Sequence, residues 1–159
     1  MRFFLLDKVS EILPGKSAKG VKCWSLDNEI FEDHFPGYPT TPGVLLTESM
    51  AQLAGLLIEH SFYQEYGKKH RVYPILSIIQ KAKFRNFVSP GDQCIIEASM
   101  MSLDMGRGTC QVITKVNNEM VCEATLSFVI LGKETGMEEN KFLARRDQYL
   151  SNILPPEFK

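Results

Sequence analysis

The residues best suited to chemistry lie in one stretch, DHFPGYPTTPGVLLTESMAQ, from Asp33 to Gln52. His34 has a side chain whose unperturbed pKa lies near neutrality, and it precedes a bend stiffened by Pro36, Gly37 and Pro39. Glu48 follows the bend as a carboxylate among Leu45, Leu46, Met50 and Ala51. Burial there would raise its pKa and favour the protonated acid. An imidazole base opposite a neutral carboxylic acid can remove one proton and deliver another, each role worth roughly 10²–10⁴-fold in rate. Between them, Gly43 falls near a helix N-terminus, where a backbone N–H lacks an intrahelical acceptor and glycine lets a ligand come close. Such a donor polarises a carbonyl that is gaining negative charge. Base, acid and donor are the parts that eliminate water beta to a thioester, a reaction that calls for no metal, flavin or nicotinamide. Taken singly, a histidine beside Pro-Gly commonly bonds to backbone and a helical glutamate commonly faces solvent, so the residues alone leave both accounts open. Ser49 and Thr47 lack the GxSxG elbow of a hydrolase.

These residues need elements to position them. The stretch from 43 to about 65 contains good helix formers and no proline. Thr41 suits a cap, Pro42 the first helical position and Gly67 the exit. Nearly every face of this helix is apolar, which implies burial. The exception is the line Glu48, Gln52, Gly55, Glu59. Residues 26–42 contain four prolines or glycines and read as a shaped loop. Strands are predicted at 8–13 and 17–25 around Pro14-Gly15-Lys16, and at 72–88, 94–103, 109–117 and 120–131. The short connections between them imply an antiparallel sheet. One buried helix with a long antiparallel sheet wrapped around it is an α+β domain. The tail from 133 is polar at first, then carries an amphipathic pattern at 141–154 that Pro155-Pro156 stops. The domain boundary is placed accordingly, with 1–132 as the domain and 133–159 as an extension.

Composition narrows the classes. The chain has 159 residues, 44% hydrophobic and 23% charged, as expected for one globular domain. A net charge of −1 argues against a nucleic-acid binder held by phosphate contacts. No apolar run reaches the roughly 18 residues of a membrane span, and the start MRFFLLDKVSEIL lacks the layout of a signal peptide. Cys23, Cys94, Cys110 and Cys122 form no CxxC pair, and no histidine stands at zinc-ligand spacing. They read as free thiols in a reducing cytoplasm. His60 and His70 read as surface residues.

The combination His34-Phe35-Pro36-Gly37-Tyr38-Pro39, Pro42-Gly43-Val44 and Glu48-Ser49-Met50-Ala51-Gln52 resembles the signature of the 3-hydroxyacyl-[acyl carrier protein] dehydratases of fatty acid synthesis. The similarity continues in FLLDKV near the start, KAKFRNFVSPGD at 81–92 and EMVCEATLSF at 119–128, and ends by Gly132. The resemblance implies a hotdog fold and a hydro-lyase without a cofactor, its substrate carried on the phosphopantetheine of an acyl carrier protein. It implies a homodimer with active sites at the interface, possible assembly into a trimer of dimers, and a cytoplasmic location. His34 of one chain would take the C2 proton, Glu48 of the other would protonate the departing hydroxyl, and the Gly43 N–H would hold the thioester carbonyl. Glu48, where dehydratase-isomerases carry Asp, implies plain dehydration to a trans-2-enoyl product. Phe35 and Val44 would line the acyl tunnel. Lys81, Lys83 and Arg85 alternate as on one strand face, a row that could dock an acidic carrier or simply face solvent. Asp33 stands where the family usually has glycine. It tolerates a left-handed backbone better than most residues, and its charge could raise the pKa of His34. This departure and the extra tail leave three alternatives open: a dehydratase of a specialised polyene or polyketide pathway, a hydratase acting on coenzyme A thioesters, and a non-catalytic acyl-binding subunit.

Overall fold

The structure is a computed structural model that describes residues 3–69, 71–132 and 141–158. Six strands form one antiparallel sheet in the order β1-β2-β4-β5-β6-β3. They are β1 Lys8–Leu13, β2 Ser17–Cys23, β3 Tyr73–Phe84, β4 Gln93–Leu103, β5 Arg107–Val116 and β6 Glu119–Leu131. The helices are α1 Ile30–Asp33, α2 Gly43–Tyr66 and α3 Lys141–Ile153. The sheet curls around α2, which touches all six strands. This is the hotdog fold expected from the sequence. No helix of the described residues is long and apolar enough to cross a membrane.

The sheet holds α2 because its inner face alternates cleanly. Along β5, Gly108, Cys110, Val112 and Thr114 are buried while their neighbours are not. Along β6, Ala124, Leu126, Phe128 and Ile130 do the same, and Cys122 is buried beside the buried Val121. They meet Leu53, Leu57 and Ile58 of α2, all fully buried. Such a burial removes apolar surface worth about 1.5–3 kcal/mol per large side chain. Gly108 is required by contact, since a Cβ there would lie 2.9 Å from Ile58.

Several local expectations need correction. Residues 26–42 are not all loop, because Ile30–Asp33 close one helical turn around buried Phe31. Thr41 does not cap α2. Pro42 is the N-cap residue, Gly43 opens the helix, and the buried Thr41 hydroxyl has no hydrogen-bond partner. Gly67 ends the helix as expected, with φ 82°. Asp33 closes α1 in ordinary helical backbone, so no left-handed tolerance is used there. His60 is half-buried rather than on the surface, its ring edge-on to Phe158 at 4.8 Å. Burial lowers its pKa. His70 and the stretch 133–140 fall outside the described residues.

Candidate active site

His34 is delivered by the end of α1, where its N–H donates to the Ile30 carbonyl. The chain then folds into a tight turn. Phe35 N–H donates to the Tyr38 carbonyl and Tyr38 N–H to the Phe35 carbonyl, with Gly37 supplying φ 76°. The Thr40 N–H donates back to the His34 carbonyl at 2.8 Å. Thr40 also fixes the ring, because His34 Nδ1 lies 2.7 Å from its carbonyl oxygen. A carbonyl can only accept, so Nδ1 carries a proton, and in the neutral ring Nε2 keeps its lone pair. The imidazole further stacks on Phe35, centroids 4.1 Å apart. Thr41 N–H donates to the Val88 carbonyl at 2.7 Å, tying this loop to the segment after β3.

Glu48 lies in the second turn of α2 and is half-buried. Its Oε1 accepts from Gln52 Nε2 at 2.9 Å. Gln52 in turn accepts from Leu5 N–H and donates to the Phe3 carbonyl, so the N-terminal arm orients the carboxylate. In the sequence Gln52 stands in the polar line and in the signature without a role of its own, and its i+4 spacing from Glu48 is the signal for this contact. Gly43, as first helical residue, has no intrahelical acceptor for its N–H. A Cβ at this position would come within 2.8 Å of the Phe84 ring. The rival hydroxyls are occupied: Thr47 donates to the Gly43 carbonyl and Ser49 to the Leu45 carbonyl.

A cavity of about 1010 Å³ runs along the Glu48–Gln52–Gly55 face of α2. The N-terminal arm, β3, Phe128 and α3 form its other walls. His34 of the same chain is not among its lining residues, and neither are Phe35 and Val44. Phe35 is 54% exposed and Val44 74%.

The profile of the FabA-like domain family matches residues 1–125. The 3-hydroxyacyl-[acyl-carrier-protein] dehydratase FabZ of Clostridium acetobutylicum is 41% identical over 127 residues, 80% of this chain and 86% of the relative. The same enzyme of Wolbachia pipientis is 40% identical over 131 residues, 82% of this chain and 88% of the relative. The chain belongs to the FabA-like family. Among solved structures, the dehydratase heterocomplex ApeI:P from Xenorhabdus doucetiae superposes with a TM-score of 0.65 at 14% identity, over 86% of this chain and 88% of that one. A hypothetical thioesterase with coenzyme A from Streptococcus pneumoniae gives a TM-score of 0.62 at 11% identity, over 79% and 86%. At these identities the likeness concerns the fold alone.

In this FabA-like chain the basic row is less regular than alternation suggested. The register of β3 on β6 shifts between Gln80 and Lys83, and Lys81 takes φ 53°. Arg85 falls just past the strand end, so the three cations do not share one regular strand face. Lys83 and Arg85 both pair with Glu123, while Lys81 is exposed. All four cysteines are free thiols, with Cys23 exposed and the others buried.

Proposed function

We propose that the chain is a 3-hydroxyacyl-[acyl carrier protein] dehydratase, releasing water to leave a trans-2-enoyl thioester. The observation that carries the chemistry is the hydrogen bond from His34 Nδ1 to the Thr40 carbonyl, which leaves Nε2 as the base. Membership of the FabA-like family, with relatives named for this reaction, supports the substrate class.

His34 Nε2 takes the C2 proton, and the C2–H electron pair moves towards the carbonyl, whose growing charge the Gly43 N–H stabilises. The pair then forms the C2–C3 double bond as the C3–O bond breaks. Protonated Glu48 gives its proton to the departing hydroxyl, making water. The reaction is a proton transfer and an elimination, so it needs no redox cofactor. His34 and Glu48 belong to different surfaces of one chain, and the reading pairs each with its counterpart on a second copy. Residues 1–132 form the catalytic domain in this reading and 133–159 an extension. Phe35 and Val44 line the thioester end of the tunnel. Lys81, Lys83 and Arg85 form a cationic margin for an acidic carrier protein in the cytoplasm. The assembly is a homodimer, with a trimer of dimers as the larger form.

The test is absorbance of the conjugated enoyl thioester from carrier-bound 3-hydroxyacyl substrates. His34→Ala and Glu48→Gln should each lower turnover by about 10²–10⁴-fold or more while the circular dichroism spectrum is kept. Near-normal turnover in either variant removes that residue from the mechanism.

A further inference from the structure

The cavity beside Glu48 extends well past the reacting carbons. Its lining on α2 runs from Glu48 to Leu56, about 12 Å at 1.5 Å per residue. Its wall near Glu59 is built by α3, which lies outside the residues matched by the family profile. Leu143 and Leu150 give this wall apolar surface, whereas Arg145, Arg146, Gln148 and Asn152 make it partly polar.

Two polar atoms at this end have no hydrogen-bond partner among the described residues. Tyr73 is only 6% exposed, lines the cavity and has an unpaired hydroxyl. Arg146 pairs through Nη2 with buried Glu59. Its Nη1 is buried and makes no hydrogen bond, its ion pair with Asp147 Oδ1 spanning 3.9 Å. Tyr73 and Arg146 line the same cavity, and a hydrogen-bonded chain ties Glu59, the partner of Arg146, to the backbone just before Tyr73. Tyr63 Oη donates to Glu59 Oε1 at 3.3 Å and accepts from the Val72 N–H at 3.2 Å, next to Tyr73 in sequence. Buried donors of this kind are destabilising until an acceptor meets them. Arg146 Nη1 can only donate and the Tyr73 hydroxyl can donate as well as accept, so an oxygen acceptor is the group that can satisfy both. Arg145, exposed on the same wall and without an ion pair among the described residues, adds positive charge.

We propose that this cavity holds the acyl tail of the substrate, and that Tyr73 and Arg146 bind an oxygen atom at the tail's distal end. The inference rests on the dehydratase reading and names its substrate class: 3-hydroxyacyl thioesters whose far end bears a hydroxyl or carboxylate rather than a methyl group. The α3 wall makes this a property of this chain's own extension.

The experiment uses the full-length protein and carrier-bound 3-hydroxyacyl thioesters of equal length ending in methyl, hydroxyl or carboxylate. An oxygenated tail should raise kcat/KM about tenfold over methyl, mostly through KM, as binding remote from the reacting atoms does. The oxygenated tail that gains more identifies the natural group, and either gain supports the inference. Tyr73→Phe should shrink this preference by about fivefold to tenfold. The double variant Glu59→Gln/Arg146→Met should shrink it likewise, and it removes both charges so that no carboxylate is left buried alone. Equal kcat/KM on all three tails, or a preference that survives both variants, overturns the inference and leaves dehydration standing. That result would arise if a second copy of the chain filled the cavity. Turnover of none of the three overturns the dehydratase reading and the inference with it.

Discussion

The Thr40 carbonyl accepts from His34 Nδ1 at 2.7 Å, and that one bond assigns the tautomer on which proton abstraction depends. Glu48 has an equivalent support in Gln52, which the backbone of the N-terminal arm holds from two sides. The cysteines show the opposite use of burial. Cys94 and Cys110 have their pKa values pushed up to about 12, and Cys122 to about 11, in each case chiefly by burial. Their ordinary value is 9.0, so the folded chain retains three protons that the unfolded chain releases as pH rises past it. The stabilisation from these thiols is complete below pH 9 and is lost as pH climbs towards 11–12. Two outcomes follow. A thiol reagent at pH 8 should label one of the four cysteines rapidly in the native protein, Cys23, and all four in denaturant. The urea midpoint should fall above pH 9, and less steeply in Cys110→Ala than in the parent chain.

Between elements, the tightest requirement is where α2 meets β5. Gly108 lets the strand approach the helix until its own backbone touches Ile58, and a Cβ would intrude at 2.9 Å. Both partners are fully enclosed, so Gly108→Ala should destabilise by about 1–3 kcal/mol, read as a lowered denaturant midpoint with unchanged m-value. The extension is joined at several points. Tyr149 donates to the Leu6 carbonyl and stacks on Phe4 at 4.5 Å, while Arg146 pairs with Glu59 and Asp147 with Arg71. Ile153 and Leu154 enter the main core. Helix α3 is therefore packed against the N-terminal arm and α2, and it forms one wall of the cavity.

At the scale of the molecule, β3 is an edge strand of 12 residues with Ile75, Ile78 and Ile79 exposed. A long apolar edge is a template for pairing with another chain. Val44, Phe84 and Phe87 add exposed apolar surface beside the site. Ile79→Lys, at a position already 51% exposed in one chain, should leave the single chain folded but weaken association. Gel filtration should show a smaller species, and dehydratase activity should fall in step if each site draws on two chains. A variant that stays fully associated and fully active would exclude β3 as the interface.

The sequence by itself determined the catalytic candidates and nearly all the elements. His34, Gly43 and Glu48 lie within one short stretch, and their chemistry depends on residue type and spacing along a bend and a helix start. The strands and α2 were legible because period-two alternation and an uninterrupted run of helix formers are local properties. Tertiary structure decided what depends on partners distant in the chain. The N-cap passed to Pro42 because Thr41 is held by Val88, a residue beyond β3. The bulge at Lys81 arose from pairing with β6 and broke the basic row. The arm's hold on Gln52, α3's seat against Leu6 and Glu59, and the cavity that Tyr73 and Arg146 both line bring together segments distant in the chain. No local pattern encodes such meetings, because they are set by which surfaces remain to be buried once the sheet has closed around its helix.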